Sequence, residues 1–165
     1  MQANAENGDD SQSMRHFEDF RIGDSRTIGD YEMREEEMIS FAREWDPQPW
    51  HVDHEAAARS PMQGITASSA HTYAVAAKLL NRMEPIAGIA SLKHEFELPA
   101  PVRPGDRLTL TMTCVGKRLS KSKSDRGLVT FVMLLTNQAD ILVLRLRSLM
   151  MIKTRPITKS FRCDE

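Results

Sequence analysis

The chain predicts an α+β fold in which one long buried helix is wrapped by a single antiparallel sheet. Two observations predict it. Residues 65–82, ITASSAHTYAVAAKLLNR, are small or apolar nearly all round, as a helix covered on every side must be. Almost everything after them alternates apolar with polar residues, the period of a strand with one covered face. The 165 residues suit one domain. A chain of this size can bury roughly 68–70% of its unfolded surface and needs no disulfide or metal to hold together. With 41% hydrophobic and 27% charged residues, the balance is globular rather than disordered.

Residues 1–13 are polar and acidic with almost nothing to bury, and are expected to be a disordered tail. The domain is expected over 14–155, followed by a second short tail at 156–165. A short β segment at about 17–33 precedes a helix at 34–45, where Met38, Phe41, Ala42 and Trp45 fall on one face. Acidic residues fill the first turn of that helix, and Pro47 stops it near Asp46. Asp53 offers an N-cap for another short helix. After the long helix, 87–98 places Ala90, Leu92, His94, Phe96 and Leu98 on one face. Strands at 106–117, 127–136 and 140–153 follow, separated by the turn at Pro104-Gly105, the polar hairpin SKSKSDRG and the turn TNQAD. The last strand is apolar on both faces, with Leu142, Leu144 and Leu146 on one side and Ile141, Val143, Leu149 and Met151 on the other. One helix cannot cover both, so a second subunit is expected to cover the surplus.

Charge and cysteine content narrow the function. Twenty-two basic against 23 acidic residues supply no general attraction to nucleic acid or anionic lipid. No run approaches the roughly 20 apolar residues of a membrane span. Cys114 and Cys163 lie far apart and have no metal-ligand spacing, and the polar N-terminus does not read as a secretory signal. The expectation is a reduced cytoplasmic protein without a zinc site.

The segment DPQPWHVD, 46–53, stands out chemically. Pro47 and Pro49 each fix φ, so a carboxylate and an imidazole, Asp46 and His51, are offered five residues apart on a stiff stretch. Acid–base chemistry needs such a pair, one group to take a proton and one to give it. Taken alone, the same residues equally describe a turn-capping aspartate and a structural histidine.

FAREWDPQPWHVDHEAA resembles the hydratase-2 motif of MaoC-like dehydratases and (R)-specific enoyl-CoA hydratases, whose core is Asp-x-Asn-Pro-x-His. Asp46 and His51 fall on the two catalytic positions and Pro49 on the proline, while Gln48 replaces the usual asparagine. The resemblance continues through MQGITASSAHT, VRPGDRLTL and SKSKSDRGLVTFVMLLTNQ, and spans roughly residues 16–154. It implies the hotdog fold, the α+β arrangement described above. It also implies reversible hydration of a 2-enoyl thioester, on coenzyme A or acyl carrier protein, to a 3-hydroxyacyl thioester. The implied enzyme works without metal or organic cofactor, as a homodimer or dimer of dimers, with no nucleic-acid or membrane partner.

Under that reading Asp46 and His51 hold the water. Backbone N–H groups near Gly64 and Ile65, at the expected start of the buried helix, receive the charge that develops on the thioester oxygen. Ser68 and Ser69 line the acyl tunnel, Ser69 standing where relatives often carry glycine, although small residues there also serve close packing. Met62 offers a soft lining beside the site. Arg118, Lys121 and Lys123, with Arg126, could meet the phosphates of coenzyme A or form a solvated hairpin. The same cluster could bind RNA, but no aromatic platform accompanies it. Trp50 is read as packing that fixes the loop, and His71 and His94 as core histidines. Two rivals remain: a hotdog thioesterase, and a catalytically silent acyl-thioester-binding module.

Overall fold

The computed structural model describes residues 14–156. The two expected tails therefore lie outside the described residues, Pro156 excepted. Among the described residues, β1 (Ser25–Glu32), β2 (Gly88–Glu97), β3 (Arg107–Leu119), β4 (Arg126–Thr136) and β5 (Leu142–Lys153) form one antiparallel sheet in the order β1-β3-β4-β5-β2. The helices are α1 (Glu35–Trp45), α2 (Pro49–Val52), α3 (His54–Arg59) and α4 (Ser69–Leu80), and a single 3-10 turn spans Phe17–Asp19. This is the hotdog arrangement, with α4 the wrapped helix.

The strictest alternation lies in the middle of the sheet. In β4, Gly127, Val129, Phe131, Met133 and Leu135 are buried while the intervening residues are half-exposed. Leu108, Leu110, Met112 and Cys114 repeat the pattern in β3. Against this face α4 sets Val75, Ala76 and Leu79. Ala76 and the half-buried Ala77 let the helix sit close, since neither side chain extends beyond Cβ.

The wrapped helix is shorter than the composition suggests, beginning at Ser69 rather than 65. Residues 65–68 are extended because their backbone groups are engaged elsewhere. Ala67 N–H donates to the Val102 carbonyl at 2.9 Å, and the Thr66 carbonyl accepts from His51. Ser68 caps the helix, its Oγ accepting from the His71 N–H at 3.2 Å. Gln63 (φ 54°) and Gly64 (φ 144°) turn the chain into this segment, and the second value is one that L side chains rarely adopt.

Three surface features also depart from the sequence pattern. Trp45 is 66% exposed, its ring 6.5 Å from that of Phe41, although the pattern places it on the buried face. The strict alternation expected over 87–98 is broken by irregularities at Gly88/Ala90 and Ser91/Lys93, so Ser91 and His94 both reach the space beneath α4. Every residue of β2 is exposed to some degree in the single chain, His94 included, which is no core histidine. His71 is buried, stacked on Phe41 with ring centroids 4.5 Å apart, but its Nδ1 has no partner among the described residues. None of the described helices is long and apolar enough to cross a membrane.

Candidate active site

The expected rigid loop is in part a helix. α1 closes with Asp46 N–H donating to the Ala42 carbonyl at 2.8 Å, and Pro47 forbids continuation. Pro49 then opens α2 at a first-turn position, where its missing N–H costs nothing. One turn suffices to aim the His51 ring inward, and the residue is buried. Asp53 ends that turn and caps α3, accepting from the Ala56 N–H at 2.7 Å.

Partners fix the tautomer of His51. Nδ1 lies 2.7 Å from the Thr66 carbonyl oxygen, an acceptor only, so Nδ1 carries the hydrogen and donates it. Nε2 is then the lone-pair nitrogen. Trp50 Nε1 donates to it at 3.1 Å, and Asp46 Oδ2 stands 3.8 Å away. That last distance is too long for a direct hydrogen bond and too short for a water between the two atoms, so a water bonded to both would stand beside the pair. Asp46 is about one-third exposed, while the His51 side chain is almost fully covered.

His51 forms part of the wall of a half-open pocket of about 350 Å³. Thr66, Ser69 and Thr72 supply the polar lining, and the run Leu98–Val102 supplies the opposite, apolar wall. Met62 closes one side, and its carbonyl accepts from Arg103 Nη2 at 2.6 Å.

The expected residues separate into those the fold brings together and those it does not. His51 and Ser69 line the same pocket, and Asp46, outside that lining, stands 3.8 Å from His51 Nε2. Neither Gly64 nor Ile65 lines the pocket, and the Gly64 N–H is not free to be the expected donor. Gly64 N–H is already given to the Ala57 carbonyl at 3.0 Å, Ile65 is buried in the core, and both precede the helix by several residues. The amides without an intrahelical partner are those that open α4, at Ser69 and Ala70. Ser68 is a buried cap rather than a lining residue. Arg118, Lys121 and Lys123 lie at the far end of the sheet, because the hairpin between β3 and β4 ends where Arg126 pairs with Lys153, whereas the pocket begins beyond Glu97, which pairs with Arg145. Eight residues of β5 separate the two places, about 26 Å. Within one chain they cannot touch the same small site.

Two contributors escaped the sequence. The Thr66 carbonyl is a backbone group and leaves no residue signature. Trp50 does more than pack, since its indole N–H donates to Nε2 of His51. The Pro-rich LPAPV run after β2 was the available hint for the second wall.

The family model described as "MaoC like domain" matches residues 19–133. The chain belongs to this family. A MaoC-like dehydratase from Rhodospirillum rubrum is 35% identical, superposes with a TM-score of 0.83, and is covered over 99% of its length by 87% of this chain. An uncharacterized protein of Bacillus subtilis is 28% identical over 132 residues, 77% of this chain and 91% of its own. The (R)-hydratase of A. caviae involved in PHA biosynthesis shares the fold, with a TM-score of 0.65 at 19% identity over 83% of this chain and 98% of that one. The matched region contains Asp46, His51 and the whole of α4, so the two candidate residues lie inside the family domain.

Proposed function

We propose that the protein adds water reversibly to a 2-enoyl-CoA thioester, giving the (R)-3-hydroxyacyl thioester, as a hydro-lyase that needs no metal or organic cofactor and works as a homodimer. The observation that carries this reading is the Asp46–His51 pair. A carboxylate oxygen and the unprotonated imidazole nitrogen stand 3.8 Å apart, close enough for one water beside them to bond to both, at the edge of a pocket with free helix-opening amides.

The water donates one hydrogen toward Asp46 Oδ2 and the other toward His51 Nε2, and its oxygen attacks C3. Trp50, whose indole uses the same lone pair, turns aside as the water enters. The electron pair of the double bond moves toward C2 and the thioester oxygen, where the Ser69 and Ala70 amides receive the developing charge, aided by the helix dipole. The proton released by the water is returned to C2, so OH and H are added and nothing else is consumed. His51 can accept that proton without giving up its bond to Thr66, and Asp46 stabilises the imidazolium that forms.

Crotonyl-CoA tests the reading directly. Hydration removes the enoyl-thioester absorbance without releasing thiol, whereas a thioesterase releases thiol, and a binding module does neither. The Asp46→Asn and His51→Ala variants should each retain the fold and lose turnover by about 10²–10⁴-fold. Near-normal activity in either variant removes that residue from the mechanism.

A further inference from the structure

A second cavity, of about 110 Å³, lies between α4 and the sheet. Ala76, Ala77, Leu80, Met133, Leu146 and Met150 make it largely apolar. Tyr73, Ser91 and His94 bring polar groups to its edge, and a fourth polar residue lies deeper. Ser148 on β5 is fully buried, and its Oγ has no hydrogen-bond partner among the described residues. A buried hydroxyl left without a partner is unfavourable, and in a cavity it is a ready recognition group for whatever enters.

The cavity continues the line of the active-site pocket. Along α4 the pocket takes Ser69 and Thr72, and the cavity takes Tyr73, Ala76, Ala77 and Leu80. Along the other wall the order runs from Leu98 in the pocket to His94 and Ser91 in the cavity. The Tyr73 ring marks the boundary, stacked on Phe96 at 6.2 Å and meeting His94 edge-on at 6.0 Å. A group bound at the Ser69 amide is seven to eight helical residues from the level of Ala76 and Ala77, about 11 Å. With C–C bonds of about 1.5 Å at an angle of about 111°, an extended chain advances about 1.25 Å per bond, so this is roughly nine bonds, close to the reach of an eight-carbon chain with an oxygen at its end. A space of about 110 Å³ holds the last three or four heavy atoms, taking roughly 30 Å³ for each water-sized unit.

Resting on the hydratase reading above, we infer that this cavity receives the distal end of a medium-length acyl chain, and that Ser148 selects a chain carrying an oxygen function, a hydroxyl or keto group, at that end. A purely aliphatic chain would fill the same space and leave the hydroxyl unpaired.

The test compares crotonyl-CoA, 2-octenoyl-CoA and 8-hydroxy-2-octenoyl-CoA with the unmodified protein, Ser148→Ala and Ala77→Leu. In the unmodified protein kcat/KM for the hydroxylated chain should exceed that for the plain chain by about 3- to 10-fold, the range of one neutral hydrogen bond. Ser148→Ala changes shape little and should erase that preference while leaving crotonyl-CoA unchanged. Ala77→Leu fills the cavity and should lower both eight-carbon substrates at least tenfold, again sparing crotonyl-CoA. An unchanged preference in Ser148→Ala, or unimpaired octenoyl turnover in Ala77→Leu, overturns the inference while crotonyl activity keeps the hydratase reading intact. If no enoyl thioester is turned over, the hydratase reading fails. Calorimetric binding of octanoyl-CoA and 8-hydroxyoctanoyl-CoA to the same proteins then judges the cavity by the same ratios.

Discussion

At the scale of single residues, two histidines with similar burial have opposite surroundings. His51 gives Nδ1–H to Thr66 and accepts at Nε2 from the Trp50 indole, with the Asp46 carboxylate 3.8 Å from the same nitrogen, so both ring nitrogens have partners. His71 has the flat face of Phe41 against it and an unpartnered Nδ1, and burial holds its pKa below the ordinary value, with Glu37 opposing and Lys78 assisting. The consequence for stability has a definite sign. In the unfolded chain this imidazole takes a proton below about pH 6.5, while in the folded chain it resists until lower pH, so the unfolded state binds more protons in that interval. Stability contributed by neutral His71 is therefore full above pH 6.5 and declines as pH falls toward the folded pKa. Urea midpoints measured from pH 7 to pH 5 should fall for the unmodified protein and fall less for His71→Phe. Parallel curves would show that His71 is not the group responsible.

Elements show where the sequence was legible and where it was not. The strands β3 and β4 were readable because each has one face on the core and one facing out, and period two records that directly. α1 was readable from its acidic first turn and Pro47. The start of α4 was not. The small residues Ala67 and Ser68 suit a helix, but backbone bonds to Val102 and His51 hold their segment extended, and such long-range partners leave no local pattern. The site divides along the same line. Asp46 and His51 were visible through their motif, whereas the open amides of α4 lie four residues later than the pattern puts them, and Thr66 takes part only through its carbonyl. The 3-10 turn supplies a further case. Phe17 lies flat on Gly127 of β4, where an added Cβ would come within 2.2 Å of the ring. Lys117 Nζ holds the turn from the other side, donating to the Phe17 and Phe20 carbonyls at 3.0 and 2.7 Å. Gly127→Ala must displace an aromatic ring from the core, and overpacking of this kind costs about 1–3 kcal/mol. Thermal or urea unfolding should register that loss, and pairing it with Phe17→Leu should recover part of it; a neutral Gly127→Ala would show that the ring moves freely.

At the scale of the whole molecule, the two sheet edges differ in what they offer. β1 ends the sheet with Ser25, Arg26 and Thr27, whose hydroxyls bond across to Thr113 and Thr111 of β3. β2 ends it with Ile89, Leu92 and Phe96, followed by Leu98, and Leu92 and Phe96 are 49% and 53% exposed. An edge strand presents unpaired backbone groups, and apolar side chains along it add a reason to cover them. A second copy related by a two-fold axis would meet the same strand in itself, extending the sheet and covering both apolar rows at once. That pairing also bears on the site, because Leu98 closes the pocket and Phe96 stacks on Tyr73 at the rim of the deeper cavity. Light scattering should therefore give twice the chain mass for the unmodified protein. In Leu92→Asp each subunit would place a carboxylate against its own symmetry mate, so the mass should fall toward that of one chain while the circular dichroism stays that of the folded protein. If the β2 edge also completes the pocket, the monomeric variant loses turnover on crotonyl-CoA although Asp46 and His51 are untouched. A Leu92→Asp protein that keeps the double mass moves the interface to another face. One that becomes monomeric and stays fully active shows that each chain carries a complete site.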